Sequence, residues 1–356
     1  MNKNNYNSGE LRVGKERKNR YVSSSFINDT KKSSIAIIAS ILVLAMVTCT
    51  FFAMFGGFNV KIWKSLGANP NNDLPTFNEP SAPTYIASEG GKGLYQLDLS
   101  SDYAILVRIS DMTTLAHKYA DEVIYPASMT KVMTVLVALD LIENLDDEYV
   151  IKQDVVSQIA YDAANAGLKD YIGQTITIRD ILYGISYCSA ADSVMCLLDY
   201  LGLSVKEFVA LMNEKATAIG MQNSTFGGAI GMDSEHNQTT CRDIAALMIY
   251  AMEDSVCLGF FSGTEYKPTF MVKSYYHSTL NTTLGEKKYT PETVLGEKYT
   301  VVAAKSGYEI NAGRCLVSYI KNDETGEYFV LVTANAKETK YNTIKDMQAI
   351  FDEINP

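Results

Sequence analysis

Histidine is scarce in this sequence, and its few copies stand far apart. The 356 residues include three histidines, His117, His236 and His277. None of them lies at the short spacing that pairs histidines around zinc in a hydrolase. The sequence therefore argues against a zinc hydrolase, and we expect no metal or other cofactor.

Paired cysteines are also missing. The chain has six cysteines and no C-x-x-C pair. One of them, Cys49, falls in a long apolar run near the N-terminus, which leaves an odd number for the rest of the chain. Because each cysteine has apolar neighbours, the pattern predicts buried free thiols and no disulfide framework.

Most of the chain lacks an excess of positive charge. Residues 1–32 hold eight basic and three acidic side chains, a net charge of +5. Because the whole chain has a net charge of −10, the remaining residues carry −15. A strongly acidic domain repels phosphate backbones, and no segment matches a nucleic-acid-binding motif. We therefore expect no nucleic acid among its partners.

Residues 33–60 contain no charged side chain at all. About 20 apolar residues suffice for a helix to cross a bilayer. A cleaved signal peptide has a shorter apolar core that ends in small residues, whereas this run ends near Phe58 in large aromatic ones. The alternatives are such a signal peptide or a buried core helix. We predict a single-pass membrane anchor, with the basic head in the cytoplasm and the remainder outside the cell membrane.

Residues 61–93 are rich in asparagine and proline and predict a flexible tether, so we place the folded domain at 94–356. Strand patterns occupy 103–109 and 114–119, and return at 269–273, 299–304, 314–320 and 328–333. Between them lie helices opened by Thr177, Ser204 and Thr240, and a last amphipathic helix covers about 343–354. The order predicts one α+β domain whose first and last strands share a sheet. A short duplication, 284–290 against 295–300, is interpreted as an insertion.

The segment from Pro126 to Lys131 carries the first candidate chemistry. Ser128 and Lys131 are three residues apart at the start of an apolar helical pattern, so they share one helix face. A lysine among apolar neighbours has a lowered pKa and can take the proton of a serine nucleophile. Ser-x-x-Lys also arises by chance, so this motif needs support from the rest of the chain.

Two further motifs lie later in the chain. Ser189 lies at an irregular turn between two helices, where it is either a site residue or the N-cap of the next helix. Lys305, Ser306 and Gly307 end an apolar strand, and the glycine permits close approach of a ligand to the backbone. The alternative for Lys305 is a solvated lysine at a strand end.

In order and spacing the three motifs resemble the Ser-x-x-Lys, Ser-x-Asn and Lys-Thr-Gly set of penicillin-binding proteins. With the flanking segments, roughly residues 95–355 are similar to the serine D-alanyl-D-alanine carboxypeptidases, the low-molecular-weight penicillin-binding proteins. The resemblance implies a penicillin-binding/β-lactamase-like fold: an antiparallel sheet flanked by helices, plus a helical subdomain.

The resemblance also implies roles for individual residues. Ser128 would attack the terminal D-Ala-D-Ala bond of a peptidoglycan stem peptide and form an acyl-enzyme, with Lys131 as its base. The backbone amides of Ser128 and Tyr308 would form the oxyanion hole. Ser189 would relay a proton to the leaving D-alanine.

The last motif would bind substrate. Lys305 and the Ser306 hydroxyl would hold the terminal carboxylate, with Gly307 and Tyr308 beside them. β-Lactam antibiotics would act as inhibitors that acylate Ser128.

The sequence departs from the family pattern at two positions. Ser306 replaces threonine and keeps the hydroxyl. Ala191 stands where asparagine is usual, and a methyl group cannot hydrogen-bond a substrate. Such a loss costs ~0.5 to 3 kcal/mol, so we expect altered substrate handling.

The alternatives to a carboxypeptidase are a β-lactamase, an endopeptidase or transpeptidase of the same fold, or a catalytically weak scaffold or wall sensor.

Overall fold

The predicted anchor lies outside the residues that the structure describes. The computed structural model describes residues 85–161, 163–271, 273–281 and 295–356. The basic head, most of the tether and the first copy of the short duplication also fall outside these ranges, and their predictions stay predictions. Within the described ranges, no single helix has the length and apolar character needed to cross a membrane, and one bent pair, Cys241–Met252 with Ser255–Phe261, meets that test by length and composition alone.

The central sheet has six strands in the order β1-β3-β2-β10-β9-β8. Four shorter strands form two separate pairs, β4 with β5 and β6 with β7. The strands are β1 (Lys92–Gly93), β2 (Tyr103–Arg108), β3 (Thr113–Lys118), β4 (Glu148–Val150), β5 (Thr175–Thr177), β6 (Glu265–Tyr266), β7 (Tyr276–His277), β8 (Tyr299–Glu309), β9 (Gly313–Asn322) and β10 (Tyr328–Ala336). The first and last parts of the domain thus share one sheet, as the sequence predicts.

One strand corrects the expected topology. β1 pairs with β3 in the parallel direction, through Lys92 with Ala116 and Gly93 with His117, whereas the other neighbours in this sheet are antiparallel. The sheet is therefore mixed and not purely antiparallel. The parallel pair arises because residues 85–93, assigned to the tether by composition, pack on the domain: Ala87 lies in the core, and Arg242 donates hydrogen bonds to the carbonyls of Ala87 and Ser88.

Helices fill the middle of the chain and cover both faces of the sheet. They are α1 (Thr130–Leu141), α2 (Gln153–Val156), α3 (Ile178–Tyr187), α4 (Ala191–Leu201), α5 (Val205–Ile219), α6 (Cys241–Met252), α7 (Ser255–Phe261) and α8 (Asn342–Ile354). The predicted starts at Thr177, Ser204 and Thr240 are confirmed, since each side chain accepts a hydrogen bond from the backbone amide three residues on.

Side-chain alternation along the strands divides the core into two layers. In β2, Ile105 and Val107 face a large cluster shared with α1 and α6, whereas Ala104 and Leu106 face a smaller cluster shared with α8. The helix α1 is buried along nearly its whole length. It therefore holds the turn directly before it, where Ser128 lies, in a fixed position beside the sheet.

The predicted strand at 269–273 is wrong. Thr269 lies in a turn because the buried carboxylate of Asp180 accepts hydrogen bonds from its backbone amide, at 3.0 Å, and from its hydroxyl. The same carboxylate accepts the Tyr266 hydroxyl at 2.9 Å. This long-range cap overrides the β-propensity of the segment.

No disulfide joins the five cysteines within the described ranges, and the predicted burial is confirmed for four of them. Cys196, Cys241, Cys257 and Cys315 are buried, and Cys188 is half-buried beside Ser189. Burial raises the pKa of the Cys188 thiol to about 12, so it is protonated at neutral pH.

Candidate active site

Ser128 lies in a short 3₁₀ turn, Ala127–Met129, directly before α1. Pro126 begins the turn, and Ala127 adopts a left-handed conformation with φ of 46°. Such a conformation costs a non-glycine residue of order 1 to 3 kcal/mol and persists where the surroundings enforce it. Here Gly231 packs against the turn so closely that a Cβ on it would lie 2.2 Å from the Ala127 carbonyl oxygen.

Lys131 lies on the first turn of α1 with its amine pointing back at this serine. Its Nζ donates to Ser128 Oγ at 3.0 Å and also to the carbonyl of Ile230. The residue is 1% exposed. Burial, and then the nearby positive charge of Lys305, hold the pKa of Lys131 well below its usual value, while Glu309 opposes the shift. The lowered pKa favours the neutral amine, which is the form that can accept the hydroxyl proton.

Ser189 is not the N-cap of the following helix. That position belongs to Ala190, which makes no side-chain cap. Ser189 instead has a left-handed backbone with φ of 57° and accepts a hydrogen bond from Lys305 Nζ at 3.0 Å. The turn aims its hydroxyl across the cleft.

Lys305 is not a solvated lysine. It is 1% exposed, and its Nζ also donates to the carbonyl of Ser306 at 2.8 Å. Burial lowers the pKa of Lys305 to about 7, with a small opposing effect from Cys188. A bound carboxylate would favour the charged amine, because an opposite charge nearby raises a lysine pKa.

The burial of Lys305 predicts a pH dependence of stability. Between pH 7 and 10.5 the unfolded chain binds a proton on this amine that the folded chain does not. The free-energy cost of burying this amine is therefore greatest below pH 7. As the pH rises through this window, the free energy of unfolding increases by up to about 1.4 kcal/mol per pH unit.

We expect the free energy of unfolding of the wild type to rise more steeply with pH than that of Lys305→Met. Urea unfolding at several pH values measures both slopes. Comparison with the variant isolates Lys305 from Lys131, whose shift has the same direction. Parallel curves for the two proteins would contradict the buried, depressed amine.

Gly307 brings the strand β8 against the turn that contains Ser128. A Cβ on this residue would lie 2.8 Å from the Ser128 amide nitrogen and 2.9 Å from Ala127 Cβ. Both distances are shorter than side chains tolerate, so the backbones of the two segments touch only because residue 307 is glycine.

Gly307→Ala is expected to separate these backbones by a few tenths of an ångström or more. Because amide donors act over short distances, we expect covalent labelling by a penicillin to slow by about 100-fold, the typical cost of losing one oxyanion donor. Gly259→Ala, in the helix α7 with nothing within 4 Å of the added Cβ, is the control. Labelling of Gly307→Ala at the wild-type rate would show that the close approach is unimportant.

These residues surround one cleft of about 610 Å³. Six of the seven sequence-predicted site residues line it, and the seventh, Lys305, hydrogen-bonds to Ser189 in its wall. Tyr308 lies at the rim and is 55% exposed. The lining is Ser128, Lys131, Ala163, Ala164, Ser189, Ile230, Met232, Ser306, Gly307, Tyr308, Glu309, Ile310, Arg314, Cys315, Lys340 and Thr343.

Ala191 does not reach this cleft. It is 0% exposed, and its amide donates to the Ala164 carbonyl at 2.7 Å. The adjacent Asp192 is structural, because its carboxylate accepts the backbone amides of Ala166 at 2.9 Å and Leu168 at 3.0 Å. Residue 191, where asparagine is usual, is thus packed against the loop that carries Ala164.

Sequence reasoning missed the groups that support the motifs from a distance. The Thr279 hydroxyl lies 3.3 Å from Ser306 Oγ and accepts the Ser306 amide, and the Ile230 carbonyl accepts from Lys131. A backbone carbonyl has no sequence signature. Thr279 precedes Ser306 by 27 residues and belongs to no motif. In the described ranges, no group of three or more His, Cys, Asp or Glu residues is placed to hold a metal ion.

Comparisons with known proteins identify the family of this chain. A family model described as D-alanyl-D-alanine carboxypeptidase, peptidase family S11, matches residues 91–338. The α+β fold, a mixed sheet flanked by helices, is like that of the penicillin-binding proteins. The chain belongs to the D-alanyl-D-alanine carboxypeptidase family, and it is a hydrolase of the serine peptidase class.

Individual relatives are distant. D-alanyl-D-alanine carboxypeptidase DacF of Bacillus subtilis is 27% identical over 277 residues, 76% of this chain and 67% of its own length. A D-alanyl-D-alanine endopeptidase of Escherichia coli is 26% identical over 264 residues, 74% of this chain and 81% of its own. The crystal structure of penicillin-binding protein D2 from Listeria monocytogenes, in its cefotaxime-bound form, superposes with a TM-score of 0.59 at 20% identity, covering 73% of this chain and 99% of that one.

Proposed function

We propose that this protein removes the terminal D-alanine from peptidoglycan stem peptides through an acyl-enzyme on Ser128. The observation that carries the proposal is the pair formed by Ser128 and Lys131. The lysine amine is buried, has a depressed pKa and lies 3.0 Å from the serine Oγ. A neutral amine at that distance is a base for a hydroxyl nucleophile.

Acylation begins when Ser128 Oγ attacks the carbonyl carbon of the penultimate D-alanine and passes its proton to Lys131 Nζ. The negative oxygen of the tetrahedral intermediate is stabilised by the backbone amides of Ser128 and Tyr308. The support for this role is Gly307, the residue before Tyr308, whose backbone lies against the Ser128 amide. The intermediate then collapses, and the bond to the terminal D-alanine breaks.

The leaving amine takes its proton on the opposite wall. Ser189 Oγ lies 3.0 Å from Lys305 Nζ, and its hydroxyl donates a proton to the leaving amine. Ser189 is reprotonated by the proton that Lys131 took from Ser128, so Lys131 is neutral again before water attacks. Lys305 and the Ser306 hydroxyl bind the terminal carboxylate. Water then attacks the ester carbonyl, restores Ser128 and releases the shortened peptide.

β-Lactams would undergo the same first step and stop there. Their ring nitrogen stays attached after the amide bond opens, so the group that must leave still blocks the attacking water. We therefore propose that penicillins acylate Ser128 and are released slowly.

The test is D-alanine release from a synthetic pentapeptide that ends in D-Ala-D-Ala, catalysed by the full-length chain in detergent. The proposal predicts turnover that a penicillin inhibits irreversibly on the time scale of the assay. A chain that binds penicillin without releasing D-alanine would instead be a scaffold or sensor, and rapid penicillin hydrolysis would make it a β-lactamase.

An endopeptidase is the second candidate, because one relative of similar identity is a D-alanyl-D-alanine endopeptidase. The two activities use the same chemistry and differ in the leaving group, which is free D-alanine for a carboxypeptidase and a cross-linked peptide for an endopeptidase. A cross-linked muropeptide dimer separates them, since an endopeptidase cuts it to monomers and a carboxypeptidase leaves the cross-link intact.

We also propose that residues 33–60 anchor the domain on the outer side of the cell membrane. The support is the uncharged run and the basic head before it. Protease treatment of intact cells tests the orientation. A domain that is cut only after lysis would reverse it.

A further inference from the structure

One wall of the cleft carries an arginine whose terminal nitrogens meet no acceptor among the described residues. Arg314 on β9 is paired with Tyr308 on β8. Its guanidinium lies over the Tyr308 ring, 4.6 Å from the centroid, and its Nε donates to the Glu338 carbonyl at 3.1 Å. Within the part of the chain that the structure describes, no hydrogen bond or ion pair engages its two terminal nitrogens. These contacts fix the side chain and leave its terminal N–H groups for a ligand.

The strand direction places Arg314 beside a particular part of the substrate. In the proposed function, the terminal carboxylate lies at Lys305 and Ser306, and the reacting carbonyl lies between the amides of Ser128 and Tyr308. The peptide before the scissile bond must therefore leave the reaction centre in the opposite direction, past Tyr308. Arg314 lies on that side, because it is the strand partner of Tyr308.

The charge of this wall contrasts with that of the rest of the domain. Besides Lys131, the described lining includes two cations, Arg314 and Lys340, and one acid, Glu309. The chain beyond residue 32 carries −15 overall. A locally cationic cleft on an acidic protein favours the entry of an anionic ligand over a neutral one.

We infer that Arg314 binds a free carboxylate on the part of the stem peptide that precedes D-Ala-D-Ala. This inference rests on the proposed function and adds a specificity residue to it. A guanidinium binds a carboxylate through two parallel hydrogen bonds, whereas an amide in the same place offers one oxygen and turns a donor towards the arginine. The protein therefore distinguishes stem peptides with a free carboxylate from amidated ones.

Two positions of the peptide could supply this carboxylate: the side chain of the residue directly before D-Ala-D-Ala, or the residue before that. Both present the same chemical group. A set of four matched peptides separates them, with both carboxylates free, either one amidated, or both amidated.

The experiment measures kcat/KM for D-alanine release from each peptide by the full-length wild type, Arg314→Gln and Arg314→Lys. Lys321→Gln is the control, since Lys321 lies on the same strand, pairs with Asp323 at 3.2 Å and does not line the cleft. We expect the wild type to prefer a free carboxylate at one position by about tenfold, the size of one charge-assisted hydrogen bond.

In Arg314→Gln this ratio should fall to about one. In Arg314→Lys it should fall part of the way, because a charge remains without the planar fork. Lys321→Gln should keep the wild-type ratio. High salt should weaken the wild-type preference, since the arginine is partly exposed. An unchanged ratio in Arg314→Gln, or an equal loss on all four peptides, would overturn the inference.

A binding measurement keeps this inference separate from the proposed function. Each peptide competes with a fluorescent penicillin, and the concentration that halves labelling is compared between the wild type and Arg314→Gln. If the wild type released no D-alanine, the proposed function would fail. The competition would still test whether Arg314 binds a free carboxylate. If it does, the preference for the peptide with a free carboxylate disappears in Arg314→Gln.

Discussion

Ser128→Ala is expected to lower D-alanine release by about a millionfold, the loss seen when a serine peptidase is deprived of its nucleophile. Covalent labelling by a fluorescent penicillin should vanish at the same time. Ser189 cannot substitute for Ser128, because its hydroxyl accepts from Lys305 on the opposite wall and Lys131 points elsewhere. Gel fluorescence after incubation with the labelled penicillin measures the effect directly.

Ser157→Ala is the matched control for this change. Ser157 is exposed, and its hydroxyl donates to the carbonyl of Gln153. Both variants should unfold at the temperature of the wild type. Persistent labelling of Ser128→Ala would assign the nucleophile to another residue.

Lys131→Arg is the second large expected effect, a loss of about 1,000- to 10,000-fold in the rate of acylation. Removing a positioned general base typically costs about 100- to 10,000-fold, and arginine stays charged at all relevant pH values. Lys131→Met is a second variant for the case that Lys131→Arg is unstable. It removes the base without leaving a buried charge, and the same loss in the rate of acylation is expected. Lys118→Arg, at a lysine that donates to the Ser101 carbonyl, is the control.

The same variant tests the depressed pKa. Only the neutral amine accepts a proton, so wild-type acylation should rise with pH through the lowered pKa of Lys131 and level off above it. Stopped-flow labelling between about pH 5 and pH 9 measures this profile. A wild-type profile without such a rise, or a rise that survives in Lys131→Arg, would show that this amine is not the base.

The sequence predicts local relations well. Ser128 and Lys131 share a face because helix geometry brings residues three apart together. The helix starts at Thr177, Ser204 and Thr240 were likewise predictable, since a cap and its partner are three residues apart.

Relations through space could not be predicted in the same way. From the sequence, Ser189 could be either a helix N-cap or a site residue. Its hydrogen bond with Lys305, on a strand far along the chain, places it in the site. The left-handed Ala127 depends on its packing against Gly231. The parallel strand β1 and the turn at Thr269 also arise from distant partners.

The alanine at residue 191 affects substrate binding and leaves the general base in place. Lys131 keeps two acceptors, Ser128 Oγ and the Ile230 carbonyl. The base is therefore held in place without the usual asparagine. What is missing is one hydrogen bond to substrate, worth roughly twofold to 150-fold. An intact nucleophile and base favour an active enzyme over the scaffold alternative.

The central claim is that Ser128 carries the acyl group, and mass spectrometry of the trapped adduct tests it most directly. The full-length protein is mixed with a penicillin, quenched, digested and mapped. We predict the mass of the opened β-lactam on the peptide that contains Ser128, with none of it in Ser128→Ala. An adduct on any other residue, Ser189 included, or no adduct at all, would contradict the account.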